Sequence, residues 1–106
     1  MASTYSEILL VGRVTGKPEL WTAPNGTRLA NYWVAVDRLS RGGQKVTDYF
    51  QVTAKGGTAE AVARQLDEGS LCLVRGYPNI QEHEKLQVEA VKVKFVGRHR
   101  DEAAER

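Results

Sequence analysis

The sequence predicts an all-β protein, a five-stranded Greek-key barrel with one short helix between its third and fourth strands. Three observations predict it. Valine-, leucine- and aromatic-rich segments recur between Gly, Pro and Asn breaks. Only one segment, residues 59–66, has helical spacing. The order strand, strand, strand, helix, strand, strand fits within 106 residues, a length that suits a single domain.

The first strand covers residues 8–14, and Gly12 inside it predicts a bend or bulge. Gly16 and Pro18 end it, a short segment Glu19-Leu20-Trp21-Thr22 follows, and Ala23-Pro24-Asn25-Gly26 reads as a turn. The second strand runs over residues 28–38. Tyr32, Val34 and Val36 share one side of it, and Trp33 and Ala35 share the other with Asn31 and Asp37. Residues 38–47 read as a basic loop with Gly42-Gly43 at its tip. The third strand, residues 48–54, alternates: Phe50, Val52 and Ala54 inward, and Tyr49, Gln51, Thr53 and Lys55 outward.

Gly56-Gly57 stops that strand, and Thr58 reads as the N-cap of the helix. Ala59, Val62, Ala63 and Leu66 form its apolar stripe, and Gly69 suits its C-terminal end. The fourth strand covers residues 71–77 and a polar hairpin loop covers 78–85. The fifth strand spans 86–96. Its apolar residues change parity between Val88 and Val91, which predicts a bulge at Glu89-Ala90, with Leu86, Val88, Val91, Val93 and Phe95 inward. The domain is expected over residues 1–97, with a polar, flexible tail over 98–106.

Composition narrows the function classes. Hydrophobic residues are 42% and charged residues 26%, an ordinary globular balance. There is no long apolar run and no basic, apolar leader at the N-terminus, so neither membrane insertion nor export is expected. Cys72 is the only cysteine, and His83 and His99 lack metal-ligand spacing. The net charge is +2, but residues 13–55 alone carry +4. The basic excess therefore lies where a polyanion could be met.

This element order is that of the OB barrel. The sequence also resembles the bacterial single-stranded DNA-binding proteins over about residues 6–97. The resemblance is carried by Ile8-Leu9-Leu10-Val11-Gly12-Arg13-Val14, Pro18-Glu19-Leu20, Pro24-Asn25-Gly26, Leu29-Ala30-Asn31, Asp48-Tyr49-Phe50-Gln51-Val52 and Glu68-Gly69-Ser70 through Gly76. It implies an OB fold, sequence-tolerant binding of single-stranded DNA in replication, recombination or repair, and a homo-oligomer, either tetramer or dimer. It also implies replication or repair proteins as partners, a cytoplasmic, nucleoid-associated location, no cofactor and no catalysis. Of the family's aromatic stacking positions, one falls on Tyr49; the others fall on Lys55, on Leu39-Ser40 and near His83. The family's acidic tail tip is not matched by Arg100-Asp101-Glu102-Ala103-Ala104-Glu105-Arg106.

Single strands expose base faces and phosphates, so aromatic rings interleaved with cations suit them. The candidate DNA-binding residues are Trp33, Tyr49, Gln51 and Lys55, with Arg28, Arg38, Arg41 and Lys45 at the rim. Trp33 has a second reading as a subunit-interface residue, and Trp21 and Tyr77 stay open between contact and packing. Phe50, Phe95 and Tyr32 read as core. The alternative function is a primosome-type accessory or protein-interaction module. An enzyme finds little footing: Asp37 and Asp48 lack a third acid, Ser40 lacks His and Asp partners, and no phosphate-cradling Gly-Lys-Ser/Thr occurs. Cys72, between Leu71 and Leu73, reads as a buried, inert thiol.

Overall fold

A computed structural model describes residues 4–80 and 85–98. Its elements are β1 (Ile8–Val14), β2 (Glu19–Thr22), β3 (Arg28–Leu39), β4 (Lys45–Lys55), α1 (Gly56–Gln65), β5 (Ser70–Asn79) and β6 (Gln87–Arg98). The strands pair in the order β1-β5-β6-β4-β3-β2, and a further β1–β3 pairing closes five of them into a barrel. The short β2 lies outside the closed ring, on the edge of β3. β4 and β6 run parallel and the other pairs are antiparallel, so the connection through α1 and β5 is the Greek-key crossover.

Closure depends on the middle of β1. Residues Ile8 to Arg13 pair with β5, and Arg13 and Val14 pair with Ala35 and Val34 of β3. A Cβ at Gly12 would collide with the Ala35 carbonyl oxygen and crowd Val34. Glycine there lets two backbones approach, where the sequence had suggested a bend. Gly76 plays the same part on β5, since a Cβ would collide with the Glu89 carbonyl.

The core follows the two-residue period. Val14, Val34, Val52, Val74 and Val88 are fully buried, one from each barrel strand, with Leu10, Ala30, Tyr32, Ala54 and Cys72 around them. Each such valine contributes about 1.5–3 kcal/mol of burial. Ala59, Val62 and Leu66 on one stripe of α1 cover the open end, as expected. Burial pushes the Cys72 thiol up to about 11, which keeps it protonated and unreactive. The Tyr32 hydroxyl is likewise held protonated by burial.

Several expectations need correction. The β3–β4 hairpin is longer than the sequence suggests: Arg38 pairs with Val46 and Leu39 with Lys45, leaving a tip of five residues. That ribbon projects from the barrel with both sides largely open to water, so no apolar alternation marked it as strand. The helix starts two residues before Thr58. Its N-cap is Lys55, with no side-chain capping bond, and its C-cap is Leu66. Gly69 takes a positive φ beyond the helix and donates its N–H to Val14. The β6 bulge falls at Val91, one residue past the expected site, where the register jumps from Lys92 to Ala90 opposite Arg75 and Gly76. A second jump near Val96 was not expected. The first jump leaves Val91 exposed; Phe95 keeps the side of Val93 and Cys72 but is 45% exposed beside α1, and Leu86 stays exposed at the strand entrance. Residues 81–84, with His83, and the tail from 99 onward lie outside the described residues.

Candidate nucleic-acid interface

Register decides which outward side chains meet. Across β3 and β4 the pairs Trp33–Gln51, Asn31–Thr53, Ala35–Tyr49 and Leu29–Lys55 occupy one side of the sheet. β2 adds Trp21 beside Leu29 and Glu19 beside Asn31. β6 adds Gln87 beside Gln51 and Glu89 beside Thr53, and β5 completes the rows with Asn79 and Tyr77. Trp21, Trp33, Tyr49 and Tyr77 thus stand on one continuous face, each between 46% and 59% exposed. Rings in that condition are anchored along one edge and open on the other.

The ground between the rings is polar and tied together. Thr53 Oγ1 donates to Asn31 Oδ1 at 2.9 Å, Gln87 Nε2 to Gln51 Oε1 at 3.2 Å, and Asn79 Nδ2 to Glu89 Oε1 at 2.9 Å. These bonds fix the floor, so the rings are presented on a stiff surface. Trp33 and Tyr49 are diagonal neighbours, a separation of about 7–8 Å between backbones that aromatic side chains can span. Beside Trp33, the β1–β2 loop folds over the sheet, with Thr15 donating its N–H to the Trp33 carbonyl. Lys17, Glu19, Asn31, Trp33 and Gln51 line a shallow hollow of about 360 Å³ there.

The predicted residues divide. Trp33, Tyr49, Gln51 and Lys55 come together on the aromatic face. Lys45 shares its side but lies on the ribbon, 3.7 Å from Asp37. Arg41 is at the exposed ribbon tip. Arg28 and Arg38 are on the opposite side of β3: Arg28 shares the side of Ala30 and Tyr32 and is half-buried, and Arg38 is bonded to Asp48 at 2.6 Å. That contact raises the Arg38 guanidinium further. Thr47 and Arg13 bond the Asp37 carboxylate at 2.6 and 2.9 Å and hold it below its ordinary range. Asp37 and Asp48 are therefore neutralised structural acids, and the described residues contain no acid, His or Cys group able to hold a metal ion.

Sequence reasoning left Trp21 and Tyr77 undecided and passed over Lys17. Cross-strand register puts the two rings on the face of Trp33, and the β1–β2 loop brings Lys17 to the hollow beside it. The sequence signal for Lys17 was its place between Gly16 and Pro18, on a loop directly before a strand.

On the opposite flank the outer side of β1 and β5 carries an aliphatic cluster of Leu9, Val11, Leu71 and Leu73 between Arg75 and Arg13. Leu9 and Val11, 62% and 51% exposed, lie across from Arg75 and Leu73. The edge of β1 that faces away from β5 carries no strand partner from Ile8 to Leu10 among the described residues.

Comparison with known proteins now bears on this geometry. The family model described as the single-strand binding protein family matches residues 5–97. The chain is 32% identical over 83 residues to single-stranded DNA-binding protein 2 of Streptococcus agalactiae, covering 76% of this chain and 63% of that protein. It is 34% identical over 90 residues to single-stranded DNA-binding protein A of Bacillus subtilis, covering 83% of this chain and 52% of the relative. It is 33% identical over 78 residues to a single-stranded DNA-binding protein of Thermotoga maritima, covering 70% and 55%. The chain thus aligns with between about half and two thirds of the length of these relatives.

Proposed function

We propose that this chain, which belongs to the single-strand binding protein family, binds single-stranded DNA across its aromatic face and does no chemistry on it. The observation that carries this is the set of four half-exposed rings, Trp21, Trp33, Tyr49 and Tyr77, on one side of the sheet around a hydrogen-bonded polar floor. Bases stack on the rings, and any base offers such a face, so binding tolerates sequence. Lys17 and Lys55, at two borders of the face, meet phosphates and release counterions. A duplex hides its base faces and cannot use the rings.

The aliphatic flank of β1 and β5 supports self-association into a dimer or tetramer, since an apolar, unpaired strand edge is stabilised by a symmetric partner. A coat protein for single strands serves replication, recombination or repair, and the matching place is the cytoplasm at the nucleoid, among proteins of those pathways. Among the described residues no helix is long and apolar enough to cross a membrane. Titration with oligo-dT and with duplex of equal length tests the reading. Affinity for oligo-dT should be far higher, with a log–log salt slope of about −0.7 per phosphate neutralised. Equal affinity for duplex, or no dependence on salt, would refute it.

A further inference from the structure

The aromatic face does not stop at the last row of its polar floor. Tyr77 on β5 lies opposite Glu89, three strands and about 14 Å from β3 at ordinary strand spacing. Beyond it the surface opens into a groove of about 470 Å³. Tyr77 lines one part of that groove, and Tyr5, 82% exposed, lines another from the segment before β1. Arg75, Glu7 and Lys92 are the charged residues between them.

Those charges are not equivalent. Arg75 Nε donates to Glu7 Oε2 at 2.6 Å, so that pair is internally neutral. The bond serves to pin the segment carrying Tyr5 against β5. Lys92 makes no ion pair among the described residues and leaves the groove one net positive charge. Two open phenol rings and a single cation, continuous with a face of the same design, match a base-and-phosphate ligand better than an aliphatic one.

We propose that this groove is a second stacking station for the same strand, resting on the DNA-binding reading given above. A base leaving the Gln51–Gln87–Asn79 row stacks on Tyr77. The next phosphate meets Lys92, and Tyr5 receives a further base. The strand thus leaves the barrel over β5. This assigns contact roles to Tyr5 and Lys92, which lie far in sequence from the β3–β4 hairpin.

The station predicts a dependence on ligand length. Wild type, Tyr5→Ala and the Tyr5→Ala/Lys92→Ala double variant are titrated with oligo-dT from about 4 to about 16 nucleotides, the range occupied by an OB fold. On the shortest oligomers, which the four-ring face holds without the groove, the double variant should match wild type within about twofold. On the longest it should bind about tenfold more weakly, and Tyr5→Phe, which keeps the ring, should bind like wild type. Solution mass is measured on each variant, and it should be unchanged. Equal affinity of the double variant and wild type at every length would overturn the station. So would equal losses at every length, a failure of Tyr5→Phe, or a loss that follows a fall in mass. Failure of wild type itself to bind oligo-dT would refute the underlying reading instead, and Trp33→Ala, which should weaken binding at every length, separates the two failures.

Discussion

The aromatic face and the aliphatic flank both leave large apolar side chains about half open to water, yet they are laid out on opposite plans. On the face, Trp21, Trp33, Tyr49 and Tyr77 stand apart, separated by bonded polar groups such as Asn31–Thr53 and Gln51–Gln87. On the flank, Leu9 and Val11 are successive outward residues of β1, and Val11 meets Leu73 directly, with Arg75 across from Leu9 at one end. Separate rings suit separate planar ligands with a polar backbone between them. Adjoining aliphatic side chains suit another protein surface, where the whole area is removed from water at once. The difference teaches that exposure alone does not identify a site; the spacing of what is exposed does.

The two surfaces meet at the seam where β1 passes from β5 to β3. Gly12→Ala should therefore damage both. The new Cβ has no room against the Ala35 carbonyl, and a loss of about 3 kcal/mol is expected, read as a lower denaturation midpoint. A variant as stable as wild type would show that the seam is looser than its backbone contacts indicate.

Val11→Lys should separate the surfaces. A charge placed in the aliphatic strip should reduce the solution mass to that of one 11.8 kDa chain. Affinity for oligo-dT should fall only as far as assembly contributes to it. Mass unchanged by the substitution would remove the flank from the subunit interface.

Trp33→Ala and Tyr49→Ala make the reciprocal test. Each should weaken oligo-dT binding by about tenfold, the value of one stacked base, without altering mass or fold. If Trp33→Ala instead breaks the assembly, the tryptophan belongs to an interface and the contrast between the two surfaces fails there.

The smallest effect concerns the ribbon that extends the aromatic face. Asp37 is held below the ordinary carboxylate range by Thr47 first and Arg13 next. A depressed carboxyl contributes stability above its unfolded value and loses it as pH falls through the folded one. Amide exchange in residues 37–47 should therefore accelerate, relative to the barrel, only at pH below about 3.9. Asp37→Asn should remove that acid-dependent step.

Much of this was legible from the chain. Period-two alternation identified Val52 and Ala54 as interior and Trp33, Tyr49, Gln51 and Lys55 as outward, because strand side chains alternate whatever the partner strand. The same period already set Arg28 and Arg38 against Trp33, since they sit an odd number of residues away; grouping them by charge obscured it. The helical stripe of Ala59, Val62 and Leu66 was equally local.

What the sequence by itself determined, then, was the set of elements, the side of each strand that faces the core, and two of the four rings on the outer face. Tertiary structure alone decided which strands lie beside which and in what register. Register brought Trp21 and Tyr77 to the same surface as Trp33 and moved the β6 bulge to Val91, which it left exposed. It also neutralised Asp37 and Asp48, acids that looked available when read singly. The physical reason is the range of the forces. Alternation reflects one residue's backbone geometry, whereas register is fixed by pairing and packing between segments tens of residues apart, where a shift of one position reverses every side chain.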